Sequence, residues 1–171
     1  MGMDSVELIM GWEEAFGIPL SDDEAFVLRT PRQVIDLIAR KVGATDQPYA
    51  ACLALRAFHR LRSSVVSVTA IDKRSVRPAA RLKDLASRRQ WDGIRSKCGI
   101  QSLPNPGLFS PRTVADLIRW SVIHAARDLK PVDEPWSRAE IRNIVRAVVA
   151  DVTGLDEFSD DDDFIEDLRV D

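Results

Sequence analysis

Apolar residues recur at helical spacing in four stretches of the chain, and nowhere does a period of two persist. In 138–152, Ile141, Ile144, Val145, Val148, Val149 and Val152 fall at i, i+3, i+4, i+7, i+8 and i+11, the one-sided stripe of an amphipathic helix. Arg138, Arg142 and Arg146 take the opposite face, and Ser137 stands where an N-cap is needed. In 5–16 the apolar set is Val6, Leu8, Ile9, Met10, Trp12 and Phe16. Asp4, Glu7, Gly11 and Glu14 form the exposed stripe there, with Gly17 as the stop. Stretch 32–42 (Val34, Ile35, Leu37, Ile38, Val42) starts after Thr30-Pro31, and 112–126 (Val114, Leu117, Ile118, Val122) after Ser110-Pro111. A fifth helix is expected within 48–68. The predicted fold class is all-α.

Two of these helices repeat one another. TPRQVIDLIARKV (30–42) and SPRTVADLIRWSV (110–122) agree at Pro31/Pro111, Arg32/Arg112, Val34/Val114, Asp36/Asp116, Leu37/Leu117, Ile38/Ile118 and Val42/Val122, at a constant offset of 80. Val68-Thr69-Ala70-Ile71-Asp72 echoes Val152-Thr153-Gly154-Leu155-Asp156, and Lys83-Asp84-Leu85 echoes Glu166-Asp167-Leu168. The middle of the chain thus reads as a divergent copy of a unit whose halves lie at the two ends. The expected domains are 1–43 plus 136–171, and 50–126, joined by the polar, proline-bearing linkers 44–49 and 127–135.

Composition adds little to this until it is read along the chain. Within 171 residues, 45% apolar and 30% charged, the net charge is only −3. Yet 53–97 carries twelve of the twenty-four basic side chains, from Arg56 to Lys97, while eight of the twelve residues in 156–167 are acidic. No apolar run approaches bilayer length and Met1-Gly2 leads into polar sequence, so no membrane span and no signal peptide are expected. Cys52 and Cys98 are too few for a disulfide framework, which fits a reducing cytoplasm.

Read tail to head, the ends give FIEDLRVD, then MG, then MDSVELIMGWEEAFGI. Across about 75 residues the outer unit resembles an acyl carrier protein, divided at its cofactor-attachment site. The resemblance implies a four-helix bundle in which a serine carries 4′-phosphopantetheine, whose thiol holds acyl groups in fatty-acid or polyketide-type synthesis. In that register Asp171 takes the place of the family motif's aspartate, Met3 that of its leucine, and Gly2 that of its serine. Glycine has no hydroxyl, so the cofactor is expected to be absent from this chain. Asp4-Ser5-Val6 imitates the motif, but Ser5 lies three residues beyond the attachment position and reads as a helix-cap residue. The acidic helix 4–16, through Asp4, Glu7, Met10, Glu13 and Glu14, would face acyl-transferring or synthase enzymes, where charge steers association.

The inner copy resembles the same fold in degraded form. It has five fewer residues between Leu85 and Cys98 than the outer unit has between Leu168 and Phe16 counted from Gly2, and no attachment motif. It reads as a non-carrying relative that docks an acidic partner. The expectation is two carrier-like bundles, the outer built from both ends of the chain, with no catalysis of its own. The alternative is a pseudo-carrier serving as an interaction or regulatory module. Exchange of 136–171 between chains would give a homo-oligomer.

Other chemistry is weaker. Asp160–Asp163 lacks the alternate spacing, central glycine and closing glutamate of a calcium loop and reads as a solvated acidic loop. His59 and His124 have no ligand-spaced companions, so neither a metal nor a catalytic role is expected. Arg56, Arg60 and Arg88-Arg89 lack the interleaved aromatics of a nucleic-acid surface. Trp12 and Trp91 read as core or interface residues.

Overall fold

A computed structural model describes residues 2–46, 52–101, 103–106 and 111–171. These residues form nine α-helices and no strand: α1 (Met3–Phe16), α2 (Asp22–Phe26), α3 (Pro31–Lys41), α4 (Leu53–Thr69), α5 (Leu82–Leu85), α6 (Arg88–Cys98), α7 (Val114–His124), α8 (Ala126–Leu129) and α9 (Arg138–Thr153). The chain divides into two compact units, 1–50 with 132–171, and 51–131. Ser110 and residues 47–49 of the expected linker lie outside the described residues.

Unit 1 is organised around α9. Ile141, Ile144, Val145, Val148 and Val149 are each 1% exposed or less, and this stripe packs against both α1 and α3. Ser137 starts the helix with a reciprocal cap, its hydroxyl accepting from Glu140 N while Glu140 accepts from Ser137 N. Thr30 caps α3, with Pro31 in the first turn where its missing N–H costs nothing. The two halves meet within one chain.

Helix α1 turns differently from the expected pattern. Its buried side is Leu8, Trp12, Ala15 and Phe16, whereas Val6 and Met10 stand 41% and 61% exposed. Gly11, expected on the solvent stripe, faces α9: a Cβ there would lie 2.8 Å from Val148 Cγ1. The absence of a side chain lets the two helices approach, which a hydrophobicity pattern does not register.

Unit 2 is organised in a similar way around α4, which packs against α6 and α7. Leu53, Ala57, Leu61 and Val65 supply its buried stripe. Helix α7 starts three residues later than the repeat suggests, because Thr113 and Asp116 form a capping box and take over the start. Helices α2 and α5 were not part of the predicted pattern, being too short for a full period to show. In the stretch expected as a linker, α8 buries Ala126 and Leu129.

Helices α9 and α4 end alike. Thr153 Oγ1 donates to Val149 O at 2.8 Å and accepts from Leu155 N at 3.2 Å; Thr69 Oγ1 donates to Val65 O at 2.8 Å and accepts from Ile71 N at 3.4 Å. The next residue is left-handed in both: Gly154 at φ 72° and Ala70 at φ 57°. Alanine bears a steric cost there that glycine does not. Ala70→Gly is therefore expected to raise stability by about 0.5–1 kcal/mol, and Gly154→Ala to lower it by a similar amount, in denaturant titrations of the full chain.

Candidate functional site

The N-terminus of α1 lacks a cap from its own sequence, since Gly2 offers no side chain. Asp171 supplies it. Asp4 N donates to Asp171 Oδ1 at 3.3 Å, and Ser5 N and Ser5 Oγ donate to the Asp171 main-chain oxygen at 3.4 and 2.6 Å. A carboxylate at the positive end of a helix is favourable on electrostatic grounds as well. A Cβ at Gly2 would lie 2.2 Å from the Asp171 carbonyl carbon, so residue 2 has no room for a side chain in this arrangement. Gly2, Ser5 and Asp171 are thus brought together, with Ser5 acting in the helix cap.

Beneath them lies a cavity of about 350 Å³ whose wall includes Leu8, Ile9, Trp12, Phe26, Phe164 and Val170, together with Gly2, Ser5 and Asp171. That size lies within the range of small-molecule sites, and the lining is largely apolar. Trp12 and Phe164 rings approach to 5.9 Å between centroids, tilted by 41°. Trp12 is buried as expected of a core residue.

The acidic loop that delivers Asp171 is structured by its charges rather than merely solvated. Asp160 is 7% exposed and lies against Arg142 and Arg146, the latter at 2.8 Å. Its main-chain oxygen accepts from Arg32 N at 2.8 Å, and Arg32 pairs with Asp161. Arg138 pairs with Asp36 on α3. Asp163 Oδ1 accepts from Ile165 N at 2.8 Å and Glu166 N at 3.1 Å, while Phe164 N donates to Arg29 O at 2.8 Å. These anchors bury Phe164, Leu168 and Val170, which brings the chain to α1. Two of the three arginines predicted on the outer face of α9, Arg142 and Arg146, therefore hold the loop, a pairing invisible to periodicity. Among the described residues no group of three His, Cys, Asp or Glu side chains is placed to hold a metal ion.

The predicted partner residues separate into two sets. Met3, Val6, Glu7, Met10 and Glu14 share the exposed face of α1, with Asp4 half-buried at its edge. Glu13 turns away: its Oε1 accepts from Leu20 N at 2.7 Å and closes the loop after the helix. Sequence reasoning missed Met3 and Val6 as surface residues, and their exposure at i, i+3 and i+7 with Met10 is the signal that could have shown them.

Burial alone would push the Asp160 carboxyl up, but hydrogen bonds and charge from Arg142 and Arg146 hold it below its ordinary value. Hydrogen bonds from Arg32 hold Asp161 down, and the Glu166 and Ile165 amides do the same for Asp163. Lowered carboxylate values mean stability that is present above the unfolded value of about 4 and lost as pH falls through the folded ones. Acid titration of unfolding should therefore show stability falling below about pH 4. Asp160→Asn should cost about 2–3 kcal/mol at neutral pH and flatten that acid limb.

Comparison with known proteins finds similarity to curated acyl carrier proteins over part of the chain. Over 42 residues, 25% of this chain and 52% of each relative, it is 52% identical to an acyl carrier protein of Thermosynechococcus vestitus. Over the same length and shares it is 45% identical to an acyl carrier protein of Guillardia theta and 43% to one of Picosynechococcus sp.. The chain spans about half the length of the curated relatives it matches. No family model and no solved structure matches it. The chain contains an acyl-carrier-like region, and the fold of its described residues is all-helical.

Proposed function

We propose that unit 1 is an acyl-carrier-type domain whose segments follow in rotated order along the chain, and that it works without a covalent arm. The observation that carries this reading is the meeting of Asp171 with Gly2 at the start of α1. That is the place, in the family register, of the aspartate and serine of the attachment motif. The residues present do not fit 4′-phosphopantetheine. Gly2 has no hydroxyl, and the Ser5 hydroxyl is held by the Asp171 main-chain oxygen at 2.6 Å. No attachment chemistry is therefore assigned here, and unit 1 catalyses nothing itself.

What remains of the carrier is its recognition surface. Acidic side chains on α1 stand beside exposed methionines, and flexible thioether side chains adapt to more than one apolar groove. The fitting partners are enzymes of thioester metabolism whose docking faces are basic with an apolar centre. Unit 2, similarly organised but without the motif, is a non-carrying relative in the same protein.

The test is incubation with a promiscuous phosphopantetheinyl transferase and coenzyme A, followed by intact mass. The expected result is an unchanged mass for the wild-type chain and for Ser5→Ala alike. A gain of one phosphopantetheine in the wild-type chain that Ser5→Ala abolishes would overturn the reading and identify a working carrier.

A further inference from the structure

The small net charge of the chain conceals a division between its two units. Residues 51–131 hold sixteen Lys and Arg against five Asp and Glu, a net of +11, whereas the remaining residues hold eight against twenty-two, a net of −14. The split runs through corresponding parts of the two units. The segment following α9 is acidic from Asp156 to Asp171, and α1 after it is acidic too. The segment following α4 is basic from Lys73 to Lys83, and α6 after it opens on Arg88-Arg89. Similar helical packing with opposite charge means that the architecture does not dictate either sign.

Local energetics work against the basic surface. Arg88 and Arg89 occupy the first turn of α6, where no acidic residue stands, although the helix dipole there favours anions. A surplus of eleven like charges on 81 residues also opposes the compact state. Arg77, Arg81, Lys83, Arg88 and Arg89 are all exposed and have no carboxylate partner among the described residues. A cost borne by the folded unit in isolation is offset once an acidic surface covers it.

We propose that the Lys73–Arg89 surface of unit 2 is a docking surface for the acidic unit of a second copy of this chain, so that copies associate head to tail. The match in charge, −14 against +11, selects this occupant, and the proposal does not depend on the carrier reading of unit 1. Such an association is heterologous, each copy offering one surface and receiving on the other. It is held mainly by charge, and it weakens as the screening length shrinks from about 20 Å to a few ångströms. Exchange of 136–171, by contrast, would bury apolar surface and resist salt.

The experiment is sedimentation equilibrium of the full chain across a salt series, beside the variant Arg81→Glu/Lys83→Glu/Arg88→Glu/Arg89→Glu. The new glutamates at 88 and 89 suit a helix N-terminus, so the variant is expected to keep wild-type helicity by circular dichroism. The wild-type mass should exceed 19.1 kDa at about 0.02 M salt and return to 19.1 kDa by about 0.5 M, with the variant at 19.1 kDa throughout. A 19.1 kDa species at every salt concentration overturns the proposal. So does an association that neither salt nor the variant changes. Retention of a double-stranded DNA probe without self-association would assign the surface to nucleic acid and overturn it equally.

Discussion

One apolar stripe must serve two helices in unit 1. The stripe on α9, from Ile141 to Val149, packs against α1 and α3 together. Neither of those helices has another long apolar surface to meet, so segments far apart in sequence are obliged to come together. Gly11 faces Val148 in this packing, and a larger residue at position 11 would push α1 outward. Once α1 lies on α9, its N-terminus falls where Asp171 can cap it, and the cavity lined by Trp12 and Phe164 closes around the remaining space. Fully burying side chains of this size contributes about 1.5–3 kcal/mol each, which is ample to dominate the polar contacts around them.

The long helices were legible because their stripes run for three turns or more and their ends carry recognisable caps. Ser137, Thr30 and Gly17 act as the pattern implies. Errors arose where one residue's neighbours, rather than its type, decide its surroundings. Met10 and Val6 are apolar yet exposed, because Leu8, Trp12, Ala15 and Phe16 already complete the buried side. The run of four aspartates looks uniform in sequence, but only Asp160 finds two arginines on α9 and turns inward. At the site, Gly2 and Asp171 could be paired from a family register, whereas the use of Ser5 in the cap follows from a helix start that has no capping side chain of its own.

Electrostatics then distinguish the two units more than packing does. In unit 1, carboxylates outnumber cations, and several of the cations are spent holding the acidic loop against α9 and α3. What is left exposed is strongly negative. In unit 2 the corresponding segment has no comparable set of internal pairs among the described residues, and its charge faces outward. Stability of the first unit therefore leans on ion pairs formed within it, while the second leaves its charge available to partners.

The order of segments has a consequence for how the protein is made. Arg138 and its partner Asp36 are separated by 102 residues, so α1 and α3 leave the ribosome long before the helix that covers them. At roughly 5–20 residues per second, that interval is on the order of ten seconds. Throughout it Leu8, Trp12, Val34 and Ile38 have no α9 stripe to bury against, while the contacts of unit 2, all drawn from 51–131, can form as they emerge. Helices α1 and α3 are thus covered only after unit 2 has emerged, and in that interval a nascent chain presents their apolar faces to a holdase chaperone.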